Sequence, residues 1–365
     1  MIESVEQWSF YNPVHVTAGV GALSRLPELI PSQGKILLLT TAGFTKRRMT
    51  ERVLQVCNRS RFVVFDQVAP NPELDALDQI TDYFRKKDIS VIVAIGGGSV
   101  LDSGKVLGVT LPSKLETPLQ KKIRKGIDHP WESSLPVITI PTTAGTGAEV
   151  TPFATVWDKL TQKKYSVSGE MVFPAHALLD PELTITLPSK ETFYTGLDAI
   201  SHALESIWNK NRTPVSLSFA LDALNLANEA LPIVLKQPDN ILMREKMQNA
   251  SFFAGLAISQ TKTALAHSIS YPLTIHHGIP HGLACSFTLP ALIEKYLAIV
   301  NNRTIKQALQ KTLVTLKRFD LGAEVAKYSN IAGLFKYIDE MYNPERAGNY
   351  VLKIENDDIG KLLSF

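Results

Sequence analysis

Four short apolar runs punctuate the first half of the chain: Lys35–Thr40 (KILLLT), Arg61–Asp66 (RFVVFD), Ser90–Ile95 (SVIVAI) and Leu135–Ile140 (LPVITI). Unbroken apolar runs of this length suit strands buried on both faces of a parallel sheet. Helical spacing lies between them. Leu74, Leu77, Ile80 and Phe84 step by three, three and four, and Asn71-Pro72 ahead of them reads as an N-cap with proline in the first turn. Strand–helix alternation predicts a doubly wound α/β domain. The charged, proline-bounded stretch from Leu111 to Ser134 reads as an excursion over the surface, and Trp157–Ser168 as a hairpin. Leu179-Asp180-Pro181 marks the exit from the sheet.

From Ser189 the pattern turns helical. Ser189, Thr192, Leu197, Ile200 and Leu204 suggest one helix; Val215–Ile233, Met243–Ile258, Leu283–Ile299 and Ile305–Lys317 suggest others. Strand signals are sparse. The expected organisation is a Rossmann-like α/β N-terminal domain, residues 1–183, followed by an all-α C-terminal domain, residues 184–365.

Composition narrows the classes. Of 365 residues, 45% are apolar and 20% charged, which is ordinary globular material. A net charge of +3 gives no case for nucleic acid, and the basic cluster Lys121-Lys122-Ile123-Arg124-Lys125 reads as a solvated face. No apolar stretch approaches membrane-spanning length. Cys57 and Cys285 are the only cysteines and lack CxxC spacing, so a disulfide framework is not expected and a reducing cytoplasm fits. No signal peptide is expected, because Met1–Trp8 has no basic segment leading into an apolar run.

Two loops carry candidate chemistry in the first half. The third run enters Gly96-Gly97-Gly98-Ser99, followed by Asp102 and Lys105. Glycines let backbone approach a ligand, and a following helix aims free N–H groups at an anion. Ser99 and Asp102 also fit a reciprocal helix cap, and a plain tight turn fits the loop equally. The fourth run enters Pro141-Thr142-Thr143-Ala144-Gly145-Thr146-Gly147-Ala148-Glu149. Ligands of open α/β sheets sit outside the carboxyl ends of the strands. Two such loops point to a long phosphate-bearing ligand such as a dinucleotide.

In the second half, four of eight histidines fall between positions 267 and 281, and His202 follows Asp198 by one helical turn. Asp198 and His202 share a helix face. With His267 and His281 they offer one oxygen and three nitrogens, a set suited to Fe, Zn, Co or Ni. The spacing alone fits a hydrogen-bonded structural network as well.

Together these segments resemble the iron-containing (group III) alcohol dehydrogenase family. The likeness rests on Gly96-Gly97-Gly98-Ser99 with Asp102 and Lys105, on Pro141 to Glu149, on Gly196-Leu197-Asp198-Ala199 with His202 and Glu205, on Ala266-His267, and on Pro280-His281-Gly282, spanning roughly residues 8 to 290. The last 75 residues carry no matching motif. The resemblance implies a dehydroquinate synthase-like architecture and an NAD(P)-linked alcohol dehydrogenase or aldehyde reductase. It implies metal-ligand roles for Asp198, His202, His267 and His281. It implies cofactor-binding roles for Thr41, Gly97, Gly98, Ser99, Asp102, Thr142, Thr143, Thr146, Lys164 and Leu183. Iron comes from the resemblance; intrinsic affinity would favour Zn2+ over Fe2+ for such ligands. A homodimer is likewise a family-level expectation.

Two departures stand out. Where many members carry a histidine beside the nicotinamide, this chain has Tyr271, leaving Tyr271 or His277 as substitutes in proton transfer. Where NAD-preferring members carry an acid after the early strand, this chain has Thr40-Thr41-Ala42-Gly43 with Lys46-Arg47-Arg48 nearby, which would tolerate NADP. Thr151 to Asp158, Ser270-Tyr271-Pro272-Leu273 and His277-Gly278-Ile279-Pro280-His281-Gly282 resemble the phosphonoacetaldehyde reductase (2-hydroxyethylphosphonate dehydrogenase) branch. That branch implies reduction of phosphonoacetaldehyde, with His276, His277 and Lys164 as candidates for the dianionic head group. The competing reading is a metal-dependent lyase of the dehydroquinate synthase type, whose ligands would include a glutamate.

Overall fold

The four apolar runs lie side by side in the computed structural model, which describes residues 7–57, 59–354 and 356–363. They form β2 (Lys35–Leu39), β3 (Phe62–Phe65), β4 (Ile89–Gly96) and β5 (Val137–Pro141). Two four-residue strands that the pattern did not reveal, β1 (His15–Ala18) and β8 (His176–Leu179), complete a sheet of order β1-β8-β5-β4-β2-β3. Every pairing is parallel. Along β2, Ile36 and Leu38 enter one apolar core while Leu37 and Leu39 enter another on the opposite face. That two-sided burial explains why the runs are continuous instead of alternating. The hairpin is β6 (Phe153–Asp158) against β7 (Lys163–Ser168), antiparallel.

Two helices of the sheet unit border the candidate loops: α1 (Leu74–Phe84) and α2 (Gly98–Thr110). Asn71 is not the N-cap of α1. Pro72 gives its carbonyl to Trp157 N of the hairpin, so the helix starts later, capped by Glu73 at Ala76 N, and Asn71 takes a left-handed φ of 55°. Nor do Ser99 and Asp102 form a reciprocal cap. The helix begins two residues earlier, at Gly98 after an N-cap at Gly97, and no side chain caps its first turn. Ser99 Oγ instead accepts from Asn71 N, and Asp102 accepts from Thr155 N. The basic stretch is only partly a solvated face, since Arg124 is held between Asp75 and Asp158.

Residues 13–143 with 148–184 make up one compact unit; residues 185–363, with 144–147 and the described residues up to Asn12, make up the other. The helical unit contains α3 (Ser189–Ile207), α4 (Pro214–Val234), α5 (Ile241–Thr261), α6 (Leu265–His277), α7 (His281–Ala284), α8 (Leu289–Leu297) and α9 (Arg303–Lys317). Helix α3 is buried on every side from Gly196 to Ile207. A Cβ at Gly196 would stand 2.6 Å from Leu231 Cδ1, so glycine permits this close approach of α4. The single helix expected over Leu283–Ile299 is broken between α7 and α8. Pro290 has no N–H to continue it and instead starts α8 in its first turn.

Candidate metal centre and cofactor loops

Helix α3 places Asp198 and His202 one turn apart on the same buried face. Helix α6 adds His267 from its first turn, and α7 begins with His281. Three imidazole Nε2 atoms face Asp198 Oδ1: His267 at 3.5 Å, His202 at 3.6 Å and His281 at 4.0 Å. Ligand atoms held about 2.0–2.2 Å from one tetrahedral cation lie about 3.4 Å apart. The Asp198–His267 and Asp198–His202 separations are close to that edge; His281 has further to move. His281 has a side chain 33% exposed, against 7% or less for the other three, so solvent reaches the cluster at His281.

The other ring nitrogens fix the tautomers. His267 Nδ1 donates to Glu205 Oε2 at 2.7 Å, and His202 Nδ1 donates to the Gly145 carbonyl at 3.2 Å. Each turns its Nε2 toward Asp198, which is how metal-binding histidines are held. His267 Nε2 is wholly buried and has no hydrogen-bond partner. Such an orphaned nitrogen is costly unless a cation meets it. Burial would lower the His267 pKa, but the Glu205 and Asp198 carboxylates override it and push it up to about 9. Burial works to raise Asp198, yet His202, His267 and His281 hold it well below the usual carboxylate range. His202 is lowered by burial. This donor set fits a divalent transition metal.

Two neighbours stand beside the expected donors: Glu205, part of the Gly196–Glu205 motif but given no role by it, and Cys285, which no motif includes. Glu205, fully buried, accepts from Ala264 N and His267 N as well as His267 Nδ1. It stands behind His267, with both oxygens so occupied. Cys285 Sγ lies 3.5 Å from Asp198 Oδ1. Asp198, His267, His281 and Cys285 each offer an atom within 4.8 Å of the others; His202 falls outside that group while still facing Asp198. Orientation of its ring by Gly145 keeps His202 in the candidate set. A signal for Cys285 does exist: it follows His281 by one helical turn, as His202 follows Asp198.

Tyr271 stacks on His281 with centroids 6.4 Å apart, and Arg346 lies 5.8 Å over the Tyr271 ring. His277 is not brought to this cluster: its Nε2 donates to the Gly333 carbonyl at 3.2 Å. His276 meets Glu340 at 2.8 Å and stacks on Tyr337. Two surface cavities, of about 470 and 570 Å³, enclose none of the donors.

In the sheet unit, β2, β4 and β5 are neighbours, and the cofactor candidates lie at their carboxyl ends. Thr41 follows β2 and caps the next turn at Phe44 N. Gly97 precedes α2, where a Cβ would meet Thr143 Cγ2 at 3.3 Å. Gly98 and Ser99 form the uncapped first turn of α2, an arrangement suited to an anion. Thr142 N donates to the Gly96 carbonyl, joining the β4 and β5 loops. Thr146 belongs with the helical unit. Asp102 accepts from Thr155 N and pairs with Lys105, which is buried and also donates to the Ala148 and Phe153 carbonyls. Asp102 thus ties α2 to the hairpin. Lys164 lies over Trp157, and Leu183 is buried in the core of the sheet unit.

The chain matches the iron-containing alcohol dehydrogenases over residues 13–181 and the C-terminal region of the Fe-containing alcohol dehydrogenase family over residues 192–352. The second match reaches well past residue 290, where the motifs end. The NAD-dependent methanol dehydrogenase of Bacillus methanolicus is 29% identical over 331 residues, 86% of either chain. The phosphonoacetaldehyde reductase of Streptomyces viridochromogenes is 37% identical over 225 residues, 60% of this chain and 56% of its own. The crystal structure of sulfoacetaldehyde reductase from Bifidobacterium kashiwanohense in complex with NAD+ superposes with a TM-score of 0.88 at 28% identity, covering 98% of both chains. With its parallel sheet, its helical unit and the Asp198 cluster, the chain belongs to the iron-containing alcohol dehydrogenase family.

Proposed function

We propose that the protein reduces a small aldehyde bearing an anionic head group to the alcohol, using a nicotinamide cofactor and one divalent cation. The observation that carries this reading is the set of three imidazole Nε2 atoms turned on Asp198, that of His267 buried without a hydrogen-bond partner. Asp198, His202, His267 and His281 would hold the cation, and the turns after β2, β4 and β5 would hold the dinucleotide. When bound, the cation polarises the carbonyl and the reduced nicotinamide supplies hydride.

The remaining roles fall to the chain's own groups. Glu205 and the Gly145 carbonyl accept from the two Nδ1–H groups and so aim the Nε2 atoms of His267 and His202 at Asp198. Tyr271, stacked on His281, is the residue to which we give proton transfer to the forming alcohol, and that stacking beside a ligand ring supports it. Arg346, above Tyr271 and bonded to Thr263 Oγ1, supports recognition of a phosphonate or sulfonate head group. NADPH should serve as well as NADH. Strand β2 runs out at Thr40-Thr41 with no carboxylate, and the Arg47 guanidinium lies 3.5 Å from where a Gly43 Cβ would stand. Iron, a homodimer and a cytoplasmic location rest on the family resemblance.

The test is a steady-state assay of metal-reconstituted protein with NADH and NADPH against acetaldehyde, sulfoacetaldehyde and phosphonoacetaldehyde. Stoichiometric nicotinamide oxidation is expected, with higher kcat/KM for the anionic aldehydes. Arg346→Met should raise KM for the anionic substrate by about tenfold, more than for acetaldehyde. No oxidation with any aldehyde would end the reductase reading; equal kcat/KM for neutral and charged aldehydes would end the head-group assignment.

A further inference from the structure

The chain past residue 290 carries no motif, yet one stretch of it is stitched to the start of α6. Ser268 Oγ, wholly buried beside His267, donates to the Met341 carbonyl at 2.6 Å and accepts from Asn343 N at 2.8 Å. Asn349 Nδ2 donates to the Thr263 carbonyl at 2.9 Å. Between these stitches runs the four-residue helix Pro344–Ala347, which carries Arg346. Arg346 Nη1 donates to Thr263 Oγ1 at 2.8 Å, and Thr263 is only 4% exposed. The next residue, Ala264, gives its N–H to Glu205, so the Thr263 hydroxyl stands on the same anchored backbone that presents His267. Below the guanidinium lies Tyr271, partly buried, which stacks in turn on His281. A guanidinium presents its N–H groups in a rigid planar fork, so holding one nitrogen fixes where the rest point. A side chain fixed before its ligand arrives loses less freedom on binding.

We propose that Thr263 is a positioning residue for substrate selectivity: its hydroxyl holds the Arg346 guanidinium in the direction that receives an anionic head group. The inference rests on the proposed role of Arg346. It gives the motif-free end of the chain a part in choosing the substrate. A phosphonate or sulfonate offers paired oxygens to a guanidinium edge, and acetaldehyde offers none. Only the anionic substrate should therefore sense the Thr263 hydroxyl.

The readout is selectivity in the metal-reconstituted enzyme, taken as kcat/KM for phosphonoacetaldehyde over that for acetaldehyde. Thr263→Val keeps the side chain's shape and removes the acceptor. It should lower the ratio about three- to tenfold, chiefly through KM of the anionic substrate. Thr263→Ser keeps the hydroxyl and should restore the ratio. Thr263→Ala removes the same acceptor and serves if the valine variant does not fold. In an Arg346→Met background, Thr263→Val should lower the ratio no further. Equal losses for both aldehydes, or a further loss in the absence of Arg346, would mean that Thr263 acts only on structure and would overturn the proposal. An unchanged ratio in Thr263→Val, with a lowered one in Arg346→Met, overturns it too and leaves the head-group assignment standing. If Arg346→Met itself leaves the ratio unchanged, the head-group assignment fails and takes this proposal with it.

Discussion

Glu205 shows how much of the centre depends on a residue that would not itself touch the cation. Its two oxygens take three hydrogens, from Ala264 N, His267 N and His267 Nδ1. One carboxylate therefore starts α6 and selects the ring tautomer of its first histidine. Glu205→Gln keeps the shape but replaces one acceptor with a donor facing those hydrogens. Chelator competition should show metal affinity falling about 10–100-fold, with the helical content unchanged by circular dichroism. An unchanged affinity would mean that the ring is oriented by packing alone. At this scale the sequence was only half legible. Asp198, His202 and His281 declared themselves by turn spacing and clustering. Glu205 stood in the same motif, but its role was hidden, because its partner is more than sixty positions away. Asp102 looked like a cap because sequence shows spacing but not which amide a loop will present; Thr155 N arrives from the hairpin.

At the scale of elements, the contact between α3 and α7 sets the distance from Asp198 to His281 and Cys285. Gly282 makes it possible: a Cβ there would stand 1.9 Å from the Tyr194 carbonyl oxygen, a rigid backbone atom. Gly282→Ala must push the two helices apart, at a cost of about 1–3 kcal/mol. A lower Tm and loss of stoichiometric metal should appear together in differential scanning calorimetry and metal analysis. A variant with normal Tm and full metal would show that α7 can shift without disturbing the ligands. The long helices were readable from periodicity, and the central strands from their unbroken apolar runs. The short strands β1 (HVTA) and β8 (HALL) were not, since four residues with histidine and alanine carry no period. Their pairing is fixed by the sheet around them, not by local preference.

For the whole molecule, buried charge makes stability depend on pH. Glu149 is buried beside Lys105, and burial pushes its pKa from the ordinary 4.5 up to about 7. The folded chain therefore keeps a proton that the unfolded chain has released across that window. Stability falls as pH rises through it, by about 1.4 kcal/mol for each unit of difference. Between about pH 5 and about pH 8, the wild-type Tm should fall more steeply than that of Glu149→Gln. Parallel curves would mean that Glu149 is ionised throughout.

The pairing of β1 with β8 also bears on how the chain is made. His15 lies opposite His176, so β1 finds its neighbour only after some 160 further residues have been translated. Until then β1 has no mate, and the β5 edge that β8 will cover stays open. A nascent chain paused before that point would display two unsatisfied strand borders, the surfaces that chaperones shield and that seed co-translational clumping.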